Sequence, residues 1–317
     1  MIRKLTESLL LWFAIALLLS ALTSNPAIGL ALGAFIALTA GNPLSSKTGK
    51  ASKYLLQSAV VMLGFGTHFA AVIRVGAASL IVTLLSISTV FILGHIYGRL
   101  FKVQDNLSIL ISTGTAICGG SAIAAMSPAI GANETDTAVS MAVVFLLNGI
   151  ALILFPPLGN LFGMTQEQFG FWAALAIHDT SSVVGAGAIY GAEALAIATV
   201  VKLTRAMWIL PVSLAGAKLK GSKGKASFPW FLLGFLAAAA IRTLFPSTEE
   251  LCIAGAKLGK HMMTGTLFLV GAGLGMDKLK KIGMKPLFMA VVLWITVSVL
   301  TLAATKLNLF PHISDII

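Results

Sequence analysis

Apolar runs of about twenty residues, the length that crosses roughly 30 Å of hydrocarbon, recur eleven times along this chain. Their centres fall near Ala14, Ala34, Met62, Ser86, Thr115, Leu146, Ile177, Ala206, Phe235, Leu267 and Leu293, and the second run is short. With only 10% charged residues among 317, too little polar material lies between the runs for a soluble globule, whose charged share is about a quarter. Lipid offers the backbone no hydrogen-bond partners, so runs of this length read as helices that satisfy their own amides. The expectation is an all-α membrane protein with about eleven transmembrane helices. It forms a single integral domain over 1–317, with approximate halves 1–163 and 164–317.

The charges between the runs test that count independently, because cytoplasmic loops carry an excess of Lys and Arg. With the N-terminus cytoplasmic and the C-terminus outside, the inner segments hold Arg3, Lys4, Lys47, Lys50, Lys53, Arg99, Lys102, Lys218, Lys220, Lys223, Lys225, Lys278, Lys280, Lys281 and Lys285. The outer ones hold Arg74, Arg242 and Lys306, a bias of fifteen to three that ten or twelve spans would scramble. The same distribution explains the net charge of +11 without nucleic acid, since these lysines sit in short loops and lack the interleaved aromatics of a base-stacking surface. Arg3-Lys4 and the run to about Leu22 outline a signal peptide, but the weak cleavage site and the spans that follow favour a retained first helix. Helix starts are expected at Asp105-Asn106 and at Ser247-Thr248-Glu249-Glu250, the latter with capping-box spacing.

Against this background one acidic residue stands out. Asp179 lies deep in the apolar stretch Ala176-Ile177-His178-Asp179-Thr180-Ser181-Ser182-Val183-Val184. A carboxylate far from water costs at least a few kcal/mol unless it is paired, hydrated or protonated, so the default reading is a solute or ion site. The alternative is a buried structural network with a neighbouring helix. Thr180, Ser181 and Ser182 are good helix N-caps, as is Asp179, so this seventh span can end one half-helix and start another. The fifth span has the same character in Thr115-Ala116-Ile117-Cys118-Gly119-Gly120-Ser121. Its paired glycines would free backbone groups, with the second half-helix presenting N–H groups and a positive dipole end to an anion; close packing of small residues is the plainer explanation. On the eighth span Lys202 and Arg205, three residues apart, share a face. They either snorkel to the inner surface or serve the site, balancing Asp179 or holding an anion. Gln57 and Asn148 read as cross-helix hydrogen-bonding residues.

Two internal matches add to this. At an offset of 207, Lys50, Lys53, Gly64, Gly66 and Gly76 match Lys257, Lys260, Gly271, Gly273 and Gly283, on spans seven apart and so oppositely directed, as in the inverted repeats of secondary transporters. At an offset of 60, Ala116-Ile117 and Ser121 match Ala176-Ile177 and Ser181, on parallel spans. Cys118 and Cys252 have no CxxC spacing and no His pair has metal-ligand spacing, so neither a metal nor a cofactor is expected.

In Gly114-Thr115-Ala116-Ile117-Cys118-Gly119-Gly120-Ser121-Ala122, His178-Asp179-Thr180-Ser181-Ser182 and Val201-Lys202-Leu203-Thr204-Arg205, the chain resembles the YeiH-type family of bacterial inner-membrane proteins, described as sulfate exporters. The resemblance covers essentially the whole chain. It implies kinship with bile-acid/sodium symporter-like and sodium/proton-antiporter-like folds, with inverted repeats, interrupted crossing helices and a core and panel that move as an elevator. The function expected is secondary-active transport of a small anion of the sulfate, sulfite or sulfonate class. Thr115, Cys118, Gly119, Gly120, Ser121, His178, Thr180, Ser181, Ser182, Lys202 and Arg205 would bind the anion, and Asp179 the coupling proton or sodium. The alternatives are an anion channel and a sodium/proton antiporter-like exchanger. An enzyme is not expected: His178, Asp179 and Ser181 include triad residue types, but neighbours on a helix point about 100° apart. The other partners expected are the lipid bilayer and, as such folds allow, a second copy in a homodimer.

Overall fold

The computed structural model describes residues 8–23, 26–220, 231–273 and 283–310. Arg3, Lys4, Lys223, Lys225, Lys278, Lys280 and Lys281 lie outside the described residues. Helix is the only extended regular structure among the described residues, and one helix or a consecutive pair occupies each apolar run. The helices are α1 (Leu9–Leu22), α2 (Pro26–Thr39), α3 (Ser45–Gly64), α4 (Phe69–Leu100), α5 (Asp105–Ala116), α6 (Gly120–Ala129), α7 (Glu134–Leu161), α8 (Gln166–Ala176), α9 (Thr180–Tyr190), α10 (Ala192–Met207), α11 (Ile209–Lys220), α12 (Phe231–Leu244), α13 (Glu249–Ala272) and α14 (Met284–Lys306). Among the described residues four stretches are long and apolar enough to cross a membrane: α4, α7, the consecutive α10 and α11, and α14. Shorter apolar helices lie in α1, α2 and α12.

Some boundaries differ from the sequence expectation. The run centred on Met62 is not covered by a single helix, because α3 ends at Gly64 and α4 begins at Phe69. Arg74, expected in an outer segment, is therefore inside α4. The capping box expected at Ser247-Thr248-Glu249-Glu250 does not form: Thr248 Oγ1 donates to Phe245 O at 2.7 Å within a 3-10 turn, and α13 starts without a side-chain cap. Asp105 does not cap α5 either; it stands in the first turn behind Gln104, where its charge still favours the helix dipole. The capping box that does form is Thr165 with Gln168, at the start of α8. Two of the expected outer cations end helices instead of lying in loops. Lys306 donates to Phe162 O at 2.5 Å and Arg242 to Phe65 O at 3.2 Å.

The chain separates into two compact units. One comprises Met1–Ile73 and Trp230–Asp277, with α1 to α3, α12 and α13. Here α2 and α13 are in backbone contact: a Cβ on Gly29, Gly33 or Gly271 would fall onto the opposing main chain, the close approach that small residues permit between membrane helices. Of the glycine pairs matched at an offset of 207, Gly64 with Gly271 and Gly66 with Gly273 belong to this unit, at or just beyond the C-terminal ends of α3 and α13, whereas Gly76 and Gly283 fall in the other unit. The other unit comprises Arg74–Pro229 and Lys278–Ile316. In it α8 packs on α9, α10 and α14, α5 on α6 and α7, and α7 on α9. Both helix interruptions lie in this second unit.

Candidate functional site

The two interruptions are built alike. α5 stops at Ala116 and α8 at Ala176, with Ile117 and Ile177 as C-caps. Gly119 and Asp179 are the N-caps that follow, and Ser121 and Ser181 are each the second residue of the next helix. The offset of 60 seen in the sequence is thus a match of structural roles. The half-helices have 12, 10, 11 and 11 residues, or about 15–18 Å each at 1.5 Å per residue. A pair that crosses about 30 Å of hydrocarbon has its break near the midplane.

The last carbonyls of a helix have no partner within it, and in lipid nothing else satisfies them. Two cations from α10 fill that need for both C-terminal ends. Arg205 Nε donates to Ala116 O at 2.8 Å, Nη2 to Thr115 O at 3.1 Å and to Ala116 O, and Nη1 to Ala174 O at 3.1 Å and Leu175 O at 2.5 Å. Lys202 Nζ donates to Ile177 O at 2.7 Å and Ala174 O at 3.3 Å. Both side chains have 0% exposure, so neither snorkels to a surface. Five guanidinium N–H groups meet five carbonyl contacts, and the positive charges face the negative ends of two helix dipoles.

The N-terminal ends are treated differently. Asp179 caps α9 by accepting Ser181 N–H at 3.1 Å, and its own N–H donates to Asn148 Oδ1, on α7, at 3.0 Å. Gly119 starts α6 with no side-chain cap. Its φ of +68° with ψ of −129° is a conformation that favours glycine. A Cβ there would stand 3.2 Å from Asp179 Cβ and 3.3 Å from its Cα, so the two breaks touch at their equivalent N-cap positions. The ring of Phe145 lies over Gly120, where a Cβ would come within 2.6 Å of Cζ. Ser121 is exposed, Asp179 and Ser181 are half-buried, and Thr180 and Ser182 are buried.

Several buried polar atoms around the breaks have no hydrogen-bond partner. They include Thr115 Oγ1, Asn148 Nδ2 and both ring nitrogens of His178, whose ring lies 6.4 Å from that of Trp294 on α14. Cys118 is buried in the link between α5 and α6. The candidate site residues therefore gather at the two breaks, Thr115, Lys202 and Arg205 on the C-terminal side and the rest at or just beyond the links, whereas Gln57 lies on α3 in the other unit. Asn148 joins them. Its cross-helix hydrogen bond was legible, but its acceptor role at Asp179 N–H was not; the available signal was a lone amide in the apolar run Leu146-Leu147-Asn148-Gly149. Among the described residues no group of three or more His, Cys, Asp or Glu is placed to hold a metal ion.

Residues 8–290 match the family described as Conserved hypothetical protein 698. The chain is 50% identical over 294 residues to a UPF0324 membrane protein of Geobacter sulfurreducens, covering 92% of this chain and 95% of that one. It is 45% identical over 282 residues to a UPF0324 membrane protein of Bacteroides thetaiotaomicron, covering 88% and 86%. No solved structure matches the chain.

Proposed function

The chain belongs to the Conserved hypothetical protein 698 family of membrane proteins, and from that premise we propose that it is a secondary transporter of a small anion, of the sulfate, sulfite or sulfonate class that the YeiH-type resemblance suggests. One observation carries this reading: two interrupted helices touch at Gly119 and Asp179, with their C-terminal ends closed by Lys202 and Arg205 and the N-terminal end of α6 left without a side-chain cap. Irregular backbone at membrane depth is tolerated where it lines a polar cavity, and discontinuous helices meeting near the midplane are the usual substrate site of secondary carriers.

In this proposal the anion sits against the uncapped start of α6, held by the N–H groups of Gly120 and Ser121 and by the Ser121 hydroxyl. Asp179 carries the coupling ion, proton or sodium. Lys202 and Arg205 act one step back, holding the two half-helices so that their N-terminal ends face the same point. The proposed setting is the bacterial inner membrane, multi-pass over about eleven spans, N-terminus cytoplasmic and C-terminus outside, with inverted repeats and elevator-type alternating access.

The test is counterflow in proteoliposomes across a panel of labelled anions, for the parent, Asp179→Asn and Ser121→Ala. Saturable exchange that both substitutions reduce at least about tenfold supports the proposal. Unsaturable flux would place the protein among channels, and undiminished exchange in both variants would remove the site from the breaks.

A further inference from the structure

The open side of the breaks combines two groups of opposite demand. The start of α6 at Gly119 lacks a side-chain cap, so its first N–H groups are donors beside the point where the breaks touch. Asn148 adds another donor. The Asp179 N–H can only donate, so the amide oxygen of Asn148 must face it and the NH2 must point away. That NH2 is buried, on a side chain only 3% exposed, and has no partner. A buried amide left unpaired is destabilising, which a bound acceptor would relieve. Donors at this position call for an anion. Yet the Asp179 carboxylate, half-buried and bonded to Ser181 N–H, stands beside the same point and, when it carries no coupling ion, repels a bare anion.

One kind of ligand satisfies both. We propose that this site, read as the anion site above, selects small anions that carry their own hydrogen-bond donor: the charged oxygens lie on the Gly120 and Ser121 N–H groups and the Asn148 amide, and the donor lies on the Asp179 carboxylate. Two sources of that chemistry exist, a singly protonated oxyanion and a zwitterion with an ammonium a few bonds from its acid group. A fully deprotonated dianion such as sulfate has no donor for Asp179 and binds weakly.

Matched pairs of probes separate the donor requirement from charge and shape. Hydrogencarbonate and nitrate are planar monoanions with and without an O–H. 2-Aminoethanesulfonate and ethanesulfonate share a sulfonate and differ in the ammonium. Binding of these four and of sulfate to the purified full-length protein at neutral pH is measured by calorimetry and by the rise in unfolding temperature. In at least one pair the donor-bearing member is expected to bind at least about tenfold more tightly, as a hydrogen bond to a charged group implies, and which pair responds tells the protonated oxyanion from the zwitterion. Asp179→Asn should bring that ratio near one and improve sulfate binding; Asp179→Ser, also a good N-cap, serves if the asparagine variant does not fold. Asn148→Asp keeps the oxygen for Asp179 N–H but replaces the NH2 with a second acceptor, and should weaken the donor-less member of each pair at least as much as the donor-bearing one. A ratio near one in the parent, or one unchanged by loss of the carboxylate, overturns the donor requirement while leaving an anion site. If none of the five binds, the anion reading falls with it.

Discussion

At the C-terminal ends of α5 and α8, seven hydrogen bonds from Lys202 and Arg205 reach backbone carbonyls, whereas at the N-terminal ends of α6 and α9 a bare glycine start touches a carboxylate-capped one. The sequence matches between the two breaks follow the same division. Ala-Ile before each link and Ser after it are shared, while Cys118-Gly119-Gly120 stands where the second break has His178-Asp179-Thr180. What is repeated builds the interruption. What differs makes the two N-terminal ends chemically complementary. The C-terminal side should therefore govern whether the unit folds, and the N-terminal side what it does once folded.

The sharpest way to break that division is Arg205→Ala. It leaves Thr115, Ala116, Ala174 and Leu175 carbonyls without these partners in a dry interior and should cost about 3–5 kcal/mol, as removal of one partner from a buried charged network does. Size-exclusion chromatography in detergent and thermal unfolding should show a protein that is largely aggregated or much less stable. Arg205→Lys would recover only part, because an ammonium cannot reach both helix ends with a planar fork. Lys202→Ala removes two bonds and should cost about 1.5–3 kcal/mol, read as a lower unfolding temperature in the same assay. Should either variant be stable but inactive, the cations belong to the transport chemistry and the division fails.

How much of this the sequence reveals depends on whether a contact has a side-chain signature. The breaks are legible because paired glycines and a run of N-cap residues are incompatible with an unbroken helix, and Asp179 is legible because a lone carboxylate among apolar neighbours must have a cause. The i, i+3 pairing of Lys202 and Arg205 is legible too. Their acceptors are not, since main-chain carbonyls look the same at every position, and an anion or Asp179 is then as good an expectation as Ala116 O and Ile177 O. The helix end at Gly64 escapes because in an apolar run the end of one helix and the start of another differ only by a local turn, whereas at Glu249 the helix start is legible and only its cap is not, since Thr248 turns back to Phe245.

Gly119→Ala tests the contact between the breaks with a smaller perturbation. The positive φ with ψ near −129° and the 3.2 Å approach to Asp179 Cβ oppose any side chain, at a cost of about 1–3 kcal/mol for the backbone conformation. The protein should remain monodisperse with a modestly lower unfolding temperature. Its transport should fall more than its stability, because the displaced α6 start no longer faces Asp179. A parallel loss of both would mean that the contact is only packing.

The smallest expected effect on stability belongs to Asp179→Asn, and it discriminates most. Asparagine caps helices about as well as aspartate, and the Ser181 N–H and Asn148 bonds both survive the change, so the unfolding temperature should correspond to within about 0.5 kcal/mol of the parent. If Asp179 instead served as the structural counter-charge of Lys202, its removal would leave a buried cation unbalanced, and the variant would unfold nearly as readily as Arg205→Ala. A second substitution then separates the cases. Adding Lys202→Met to Asp179→Asn would restore stability only if the two charges support each other. If Lys202 supports the α8 carbonyls instead, the double variant loses those bonds as well and is less stable than Asp179→Asn alone by about the cost of Lys202→Met by itself, as sites without coupling add. The sign of that difference in thermal unfolding decides whether the carboxylate is part of the scaffold or free for the solute.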